Sequence, residues 1–181
     1  MSSTIRRVDV LGVGISAINM PMAVDEITRW LDHREQHYVC VTGVHGVMES
    51  QRDPVLRDIH NASGLTTPDG MPMVWAGHRA GANWMSRVYG PDLMLNVLER
   101  AAERGWKSFL YGGNVGVADL LAGRLRRRFP ALEVVGVYSP PFRSLTSLED
   151  NEITDRALLQ RLAAVRGRLS LCADQAAAAK W

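Results

Sequence analysis

Asp69 is a candidate general base. It lies in Thr66-Thr67-Pro68-Asp69-Gly70, between a short strand predicted at Gly64–Thr67 and a helix predicted at Met71–Arg79. A carboxylate at such a junction can take the proton from an attacking hydroxyl group. The alternative is structural, because Asp is common in turns and helix caps. Local chemistry alone favours the structural alternative.

The glycine-rich loop Tyr111-Gly112-Gly113-Asn114 is a second candidate, because it joins a predicted strand to a predicted helix. Glycines let the backbone approach a ligand closely, and the free N–H groups of a helix N-terminus attract anions. Both properties suit a nucleotide diphosphate. The alternative is a tight turn in which Asn114 only caps the helix. The sequence leaves both interpretations open.

The segment Gly12-Val13-Gly14-Ile15-Ser16-Ala17 matches the G-x-G-x-x-A pattern of dinucleotide-binding proteins. Two observations argue against that function. A helix beginning at Gly14 would be broken by Pro21. The next predicted strand ends in Val41-Thr42 and lacks the acidic residue that would hold a ribose hydroxyl. We therefore predict a β-hairpin here and keep a dinucleotide-dependent oxidoreductase as the weaker alternative.

The histidines and arginines are weaker candidates. His33 and His37 lie among polar residues at a helix end, so we expect them in solvent. His45 follows a predicted strand end, where it either contacts a ligand or packs at a helix start. No paired-cysteine zinc signature and no D-x-D pair is present, so we predict no metal site. Four arginines end one predicted helix and form either a solvated face or a surface for anionic lipid: Arg124, Arg126, Arg127 and Arg128.

Composition describes an ordinary globular chain of 181 residues, 46% hydrophobic and 22% charged, which excludes a disordered protein. The net charge of +2 gives no reason to expect nucleic acid as a partner. Cys40 and Cys172 cannot build a disulfide framework, which favours a reducing compartment. No apolar run reaches the roughly 18 to 20 residues of a membrane span. We expect a cytoplasmic protein that is able to touch the inner face of the cell membrane.

Strands alternate with helices along most of the chain, which is typical of parallel sheets. We predict an α/β fold, with a Rossmann-like, mostly parallel sheet, helices on both faces and an N-terminal β-hairpin. Ligands of such sheets bind at the carboxyl ends of the strands. The loops at Thr42, Asp69 and Gly112 should therefore converge on one rim.

Two finer expectations concern burial. The strand predicted at Tyr38–Thr42 is short and apolar, so it should be buried on both faces. A helix capped by Asp53 should turn Val55 and Ile59 inward. A further helix is predicted at Thr146–Val165.

Five segments resemble, in order and spacing, the WecG/TagA/CpsF glycosyltransferases (glycosyltransferase family 26) from residue 8 to residue 156. No single segment is decisive, but the five occur in register. They are Val41-Thr42-Gly43-Val44-His45-Gly46-Val47-Met48, Thr67-Pro68-Asp69-Gly70-Met71-Pro72, Arg87-Val88-Tyr89-Gly90-Pro91-Asp92-Leu93, Phe109-Leu110-Tyr111-Gly112-Gly113, and Phe129-Pro130-Ala131-Leu132 with Val135-Gly136.

The resemblance implies an inverting, metal-independent transfer of a hexosamine-type sugar, N-acetylmannosamine or a related one. The donor would be a UDP-sugar, and the acceptor a sugar on a polyprenyl diphosphate at the membrane face. The products would feed teichoic acid or other cell-surface polysaccharides. It further implies that Asp69 is the general base and that Thr42 lines the same pocket. The implied substrate-binding residues are His45, Gly70, Arg87, Gly90, Asp92, Gly112, Gly113 and Asn114.

Two departures from the family pattern affect these expectations. Val44 and His45 stand where many members have an asparagine two residues after the threonine. Residues 157–181 lack the strand, glycine and arginine-rich tail of the family, so we expect a glycosyltransferase domain at 1–156 and a divergent or truncated segment after it. A missing tail would leave a sheet edge exposed and predicts self-association. It also keeps open a non-catalytic nucleotide-binding or assembly module.

Overall fold

The computed structural model describes residues 5–139 and 169–173. Contacts divide the chain into two compact units, and the boundary between them in the sequence falls between Asn96 and Val97. The elements that begin in the first unit are strands β1 (Arg7–Val10), β2 (Val13–Ser16), β3 (Val39–Thr42) and β4 (Leu65–Pro68), with helices α1 (Met20–His33), α2 (Val44–Glu49), α3 (Pro54–Ala62), α4 (Met71–Arg79) and α5 (Gly90–Arg104). The second unit holds β5 (Lys107–Gly112), α6 (Val117–Arg128), β6 (Glu133–Tyr138) and β7 (Leu169–Ala173).

The first unit begins with an antiparallel hairpin in which Val10 pairs with Val13. The two residues between them, Leu11 and Gly12, have φ angles of 54° and 81°. Positive φ at both positions gives the mirror-image turn that fits the right-handed twist of paired strands. The predicted hairpin is confirmed. Gly14 lies inside β2 rather than at a helix start, which removes the geometry that a dinucleotide site requires.

Strands β3 and β4 form a parallel pair, and β4 also lies beside β2, where the Thr66 N–H donates to Ser16 Oγ at 3.0 Å. All four residues of β4 are buried. The prediction that β3 is buried on both faces is wrong, because Val41 is 46% exposed. The reason is that, among the described strands, β3 pairs with β4 alone and so forms an edge.

Polar contacts, rather than buried apolar side chains, hold helix α3 against the rest of the first unit. Asp53 caps it as predicted and accepts from the N–H groups of Val55 and Leu56. The prediction that Val55 and Ile59 face inward is wrong, since they are 67% and 46% exposed. His60 is the buried residue of α3, and its Nδ1 lies 3.2 Å from Ser50 Oγ.

The second unit is a parallel three-stranded sheet with the order β6-β5-β7. Strand β7 was not expected, because residues 157–181 were predicted to lack a strand. Leu169, Ser170 and Leu171 give only a short period-two signal for this strand, and the apolar Cys172 interrupts it. The helix predicted at 146–165 and the boundary predicted at residue 156 lie outside the described residues.

The predicted fold class is confirmed: an α/β chain whose sheets are mostly parallel, with an N-terminal hairpin. Among the described helices, none is both long enough and apolar enough to cross a bilayer.

Replacement of Gly12 tests the hairpin turn. Valine is strongly disfavoured at positive φ, so Gly12→Val should lower the free energy of unfolding by about 1 to 2 kcal/mol. Asn adopts this conformation more readily, so Gly12→Asn should lower the free energy of unfolding much less. Urea denaturation of the two variants measures the difference. Equal losses would contradict the assigned turn.

Candidate functional site

The candidate site lies at the carboxyl ends of β3 and β4. Thr42 pairs with Pro68 at the end of the strand pair. One residue further, the Asp69 N–H donates to the Thr42 carbonyl at 3.0 Å. The strands end together, and α2 and α4 begin directly after them. This is the rim at which open α/β sheets bind ligands.

Two glycines let the backbones meet at this rim. A Cβ on Gly43 would lie 2.7 Å from the Asp69 carbonyl oxygen, a contact that real Cβ atoms essentially never make. Gly70 has a φ of +119°, a conformation that other residues rarely adopt. Gly43 therefore allows the two backbones to approach closely at Asp69, and Gly70 allows the chain to turn sharply directly after it.

The Asp69 carboxylate forms an ion pair with Arg87. Nε and one terminal nitrogen of Arg87 both donate to Asp69 Oδ1 at 3.3 Å. Within the described residues, Asp69 Oδ2 accepts no hydrogen bond. The Asp69 side chain is one-quarter exposed and that of Arg87 half exposed, so solvent and small molecules reach the pair. A carboxylate held by one oxygen and open at the other can accept a proton from a bound hydroxyl group.

The loop before α5 holds Arg87 in place. The Val88 N–H donates to the Pro68 carbonyl at 2.9 Å, which ties the loop to the end of β4. The Arg87 guanidinium carbon lies 4.5 Å from the centre of the Tyr89 ring. Cation–π contact orients the guanidinium without using its hydrogen-bond donors. The sequence gives no sign of this role for Tyr89, because residue spacing does not reveal its contact with Arg87.

Thr42 is 1% exposed, and within the described part of the chain its Oγ1 makes no hydrogen bond. Its methyl group lies beside Gly46, where an added Cβ would be 3.2 Å from Thr42 Cγ2. Its backbone carbonyl accepts the hydrogen bond from the Asp69 N–H. Two residues earlier, burial raises the pKa of the Cys40 thiol, which keeps it protonated and unreactive.

The remaining predicted residues of the first unit are placed less centrally. His45 is 90% exposed on its side chain and lies 3.7 Å from Glu49 rather than against Asp69. Gly90 lies against β3, where a Cβ would be 3.2 Å from Val41 Cγ1. Asp92 is exposed in the first turn of α5, where a negative charge complements the helix dipole.

The glycine loop belongs to the second unit. Gly112 and Gly113 are buried with φ angles of +108° and +75°, and Asn114 is exposed. The interpretation of Asn114 as the helix cap is wrong, because Gly116 is the N-cap of α6. The Asn114 carbonyl instead accepts from the Val117 N–H at 3.0 Å. That this loop and Asp69 share one rim stays a prediction.

Comparison with known proteins identifies relatives. The sequence model of the family described as "Glycosyl transferase WecG/TagA/CpsF family" matches residues 8–173, which extends past residue 156 and through β7. Two curated relatives are named N-acetylglucosaminyldiphosphoundecaprenol N-acetyl-beta-D-mannosaminyltransferase. The Bacillus spizizenii protein is 25% identical over 109 residues, covering 60% of this chain and 42% of the relative. The Bacillus subtilis protein is 23% identical over 151 residues, covering 79% of this chain and 55% of the relative. The chain spans about half the length of these relatives.

Two substitutions at Thr42 test whether its hydroxyl group has a partner. Thr42→Val removes an unpaired buried hydroxyl and should leave the free energy of unfolding unchanged or raise it. Thr42→Ser keeps the hydroxyl but removes the methyl group beside Gly46, which should cost about 1 kcal/mol. Chemical denaturation measures the free energy of unfolding of both variants and shows which of them is less stable. Greater loss with Val than with Ser would show that the hydroxyl is hydrogen-bonded.

Proposed function

Because this chain belongs to the WecG/TagA/CpsF glycosyltransferase family, we propose that it takes part in transferring a hexosamine-type sugar to a lipid-linked acceptor in cell-surface polymer synthesis. The proposed donor is a UDP-sugar, with N-acetylmannosamine or a related sugar. The proposed acceptor is a sugar on a polyprenyl diphosphate, by analogy with the relatives' printed name. The observation that carries the proposal is the Asp69 carboxylate, which is paired with Arg87 through Oδ1 at the strand rim and accepts no hydrogen bond at Oδ2 from the described residues.

The reaction we propose is a single displacement at the anomeric carbon. The acceptor hydroxyl oxygen forms the new bond to that carbon, while the bond to the UDP oxygen breaks and its electron pair leaves with UDP. Asp69 Oδ2 takes the hydroxyl proton as the oxygen attacks. One displacement inverts the configuration, and no covalent enzyme intermediate is required.

Arg87 is proposed as the positioning residue for this base. Both Arg87 donors contact Asp69 Oδ1, which holds that oxygen and leaves Oδ2 without a hydrogen-bond partner among the described residues. Half of the Arg87 side chain is exposed, so the guanidinium is also accessible to an anionic part of a substrate. Thr42 acts through its backbone carbonyl, which accepts from the Asp69 N–H.

The departing UDP needs stabilisation of its growing negative charge. We propose that the loop at Gly112 and Gly113 and the N–H groups at the start of α6 supply it. Positive φ at both glycines is compatible with a backbone that wraps closely around a diphosphate. His45, Gly70, Gly90, Asp92 and Asn114 remain proposed contacts to the substrates.

Asp69→Asn tests the base. It keeps the size of the side chain but cannot accept the proton, so turnover should fall about 100- to 10,000-fold while UDP-sugar affinity changes little. Radiolabelled transfer and calorimetric binding measure the two quantities. Asp58→Asn, an exposed carboxylate on α3, is the matched control and should behave like wild type. Full turnover with Asn at position 69 would rule out the assignment. UDP binding without transfer by the wild-type chain would identify a nucleotide-binding module instead.

Chelation tests the predicted independence from metal. The sequence contains no D-x-D pair, so we expect the initial rate of transfer to be the same with excess EDTA as with added Mg²⁺. The two rates are measured on the same preparation. A rate that falls on chelation and returns with Mg²⁺ or Mn²⁺ would contradict this expectation and add a metal to the mechanism.

A further inference from the structure

The segment that follows Asp69 presents large apolar side chains to solvent. Met71 and Trp75 are 46% and 61% exposed and stand four residues apart on α4, so they share one face of that helix. Trp84, in the loop after α4, is 46% exposed. Exposed apolar groups that cluster in this way mark surfaces that contact another molecule or a membrane. We call residues 70–89 the α4 segment.

The α4 segment is held rigidly against the first unit, so this exposure is a property of its fold. Met73, Val74 and Gly77 are the buried residues of α4. The loop folds back on the helix, because His78 Nε2 lies 2.8 Å from the Met85 carbonyl. The Trp84 indole N–H donates to the Ala17 carbonyl at 2.8 Å, which fixes the ring while half of it stays in solvent.

Charge distinguishes the α4 segment from the exposed apolar pairs of α2 and α3. Residues 70–89 contain no Asp or Glu, although the whole chain has 19 acidic residues. Of the two arginines in the segment, Arg87 is paired with Asp69, so Arg79 is the cation that favours an anionic partner. Arg79 is exposed four residues after Trp75 on the same helix. Other exposed apolar pairs carry acids beside them: Val55 and Ile59 adjoin Asp58 on α3, and Val44 and Met48 adjoin Glu49 on α2.

We propose that the α4 segment is the surface by which this protein binds an anionic lipid bilayer. Trp side chains favour the boundary between headgroups and acyl chains, and Arg79 suits the negative headgroups. The proposal rests on the proposed function, in which the acceptor is anchored in a membrane. The segment begins at the residue after Asp69, so a bilayer against it would lie beside the proposed base.

Two rival surfaces are less well suited. The arginines at the end of α6 are partly engaged within the protein: Arg126 donates to the Val134 carbonyl, and Arg128 stacks on Phe129. A second copy of this chain is the other rival occupant of α4. Self-association through this face would bring Arg79 residues together without an acid in the segment to balance them.

Sedimentation with vesicles tests the proposal. Wild-type protein should pellet with vesicles of phosphatidylglycerol and phosphatidylcholine in equal parts, and much less with pure phosphatidylcholine. Trp75→Glu should weaken this binding at least tenfold, and Arg79→Gln by about fivefold, a loss that high salt reproduces for the wild type. The matched control is Val55→Glu, which places an acid on the more exposed apolar residue of α3 and should bind like wild type. Thermal unfolding confirms that each variant is folded.

The outcomes separate this surface from the proposed enzyme function. Asp69→Asn should bind vesicles normally, so loss of turnover alone leaves the surface intact. Normal vesicle binding by both Trp75→Glu and Arg79→Gln would overturn the proposal whatever the enzyme does. So would binding that is lost only in Arg127→Gln. If Trp75→Glu changes the molar mass by light scattering but not vesicle binding, the occupant is a second copy and the proposal fails.

Discussion

The site depends on one backbone hydrogen bond, from the Asp69 N–H to the Thr42 carbonyl. It continues the parallel pairing of β3 and β4 one residue past the last strand pair. The chain can make it only because Gly43 has no side chain, since a Cβ there would strike the Asp69 carbonyl. Because α2 and α4 both begin at this point, the bond also fixes where the two helices start. The position of the Asp69 carboxylate therefore follows from backbone geometry rather than from side-chain packing.

Local signals predicted most of the elements. Helix α4 begins and ends at the residues expected from sequence, and α3 begins at Pro54, directly after its predicted cap Asp53. Gly12 lies in the turn of the predicted hairpin at positive φ, a conformation that glycine favours between strands, whereas the residue type of Leu11 gives no sign of its own positive φ. Placing Asp69 at a strand end needed only the order of one strand, one turn and one helix. These features rest on neighbouring residues, and a single sequence records them directly.

Features that depend on distant partners were missed. The inward face of α3 was predicted wrongly because the buried residue of this helix is polar. His60 lies against Ser50, whereas the apolar Val55 and Ile59 are exposed. Strand β7 has a weak local pattern and exists by pairing with β5, about 60 residues earlier in the chain. The Asp69–Arg87 pair joins residues 18 positions apart through a loop whose path no local motif encodes. Tertiary context decides each of these, as it does wherever intrinsic preference is weak.

The ion pair between Asp69 and Arg87 contributes little to stability. Exposed pairs of this kind are worth about 0 to 1 kcal/mol, because solvent screens the charges and ordering two long side chains costs entropy. Stacking on Tyr89 reduces that entropic cost by holding the guanidinium before it meets the carboxylate. A weak but pre-oriented pair suits a site that must exchange partners, since an anionic substrate group can compete for Arg87 without a large loss of stability. Orientation of the Asp69 carboxylate, the base of the proposed reaction, therefore explains the arrangement better than maintenance of the fold does.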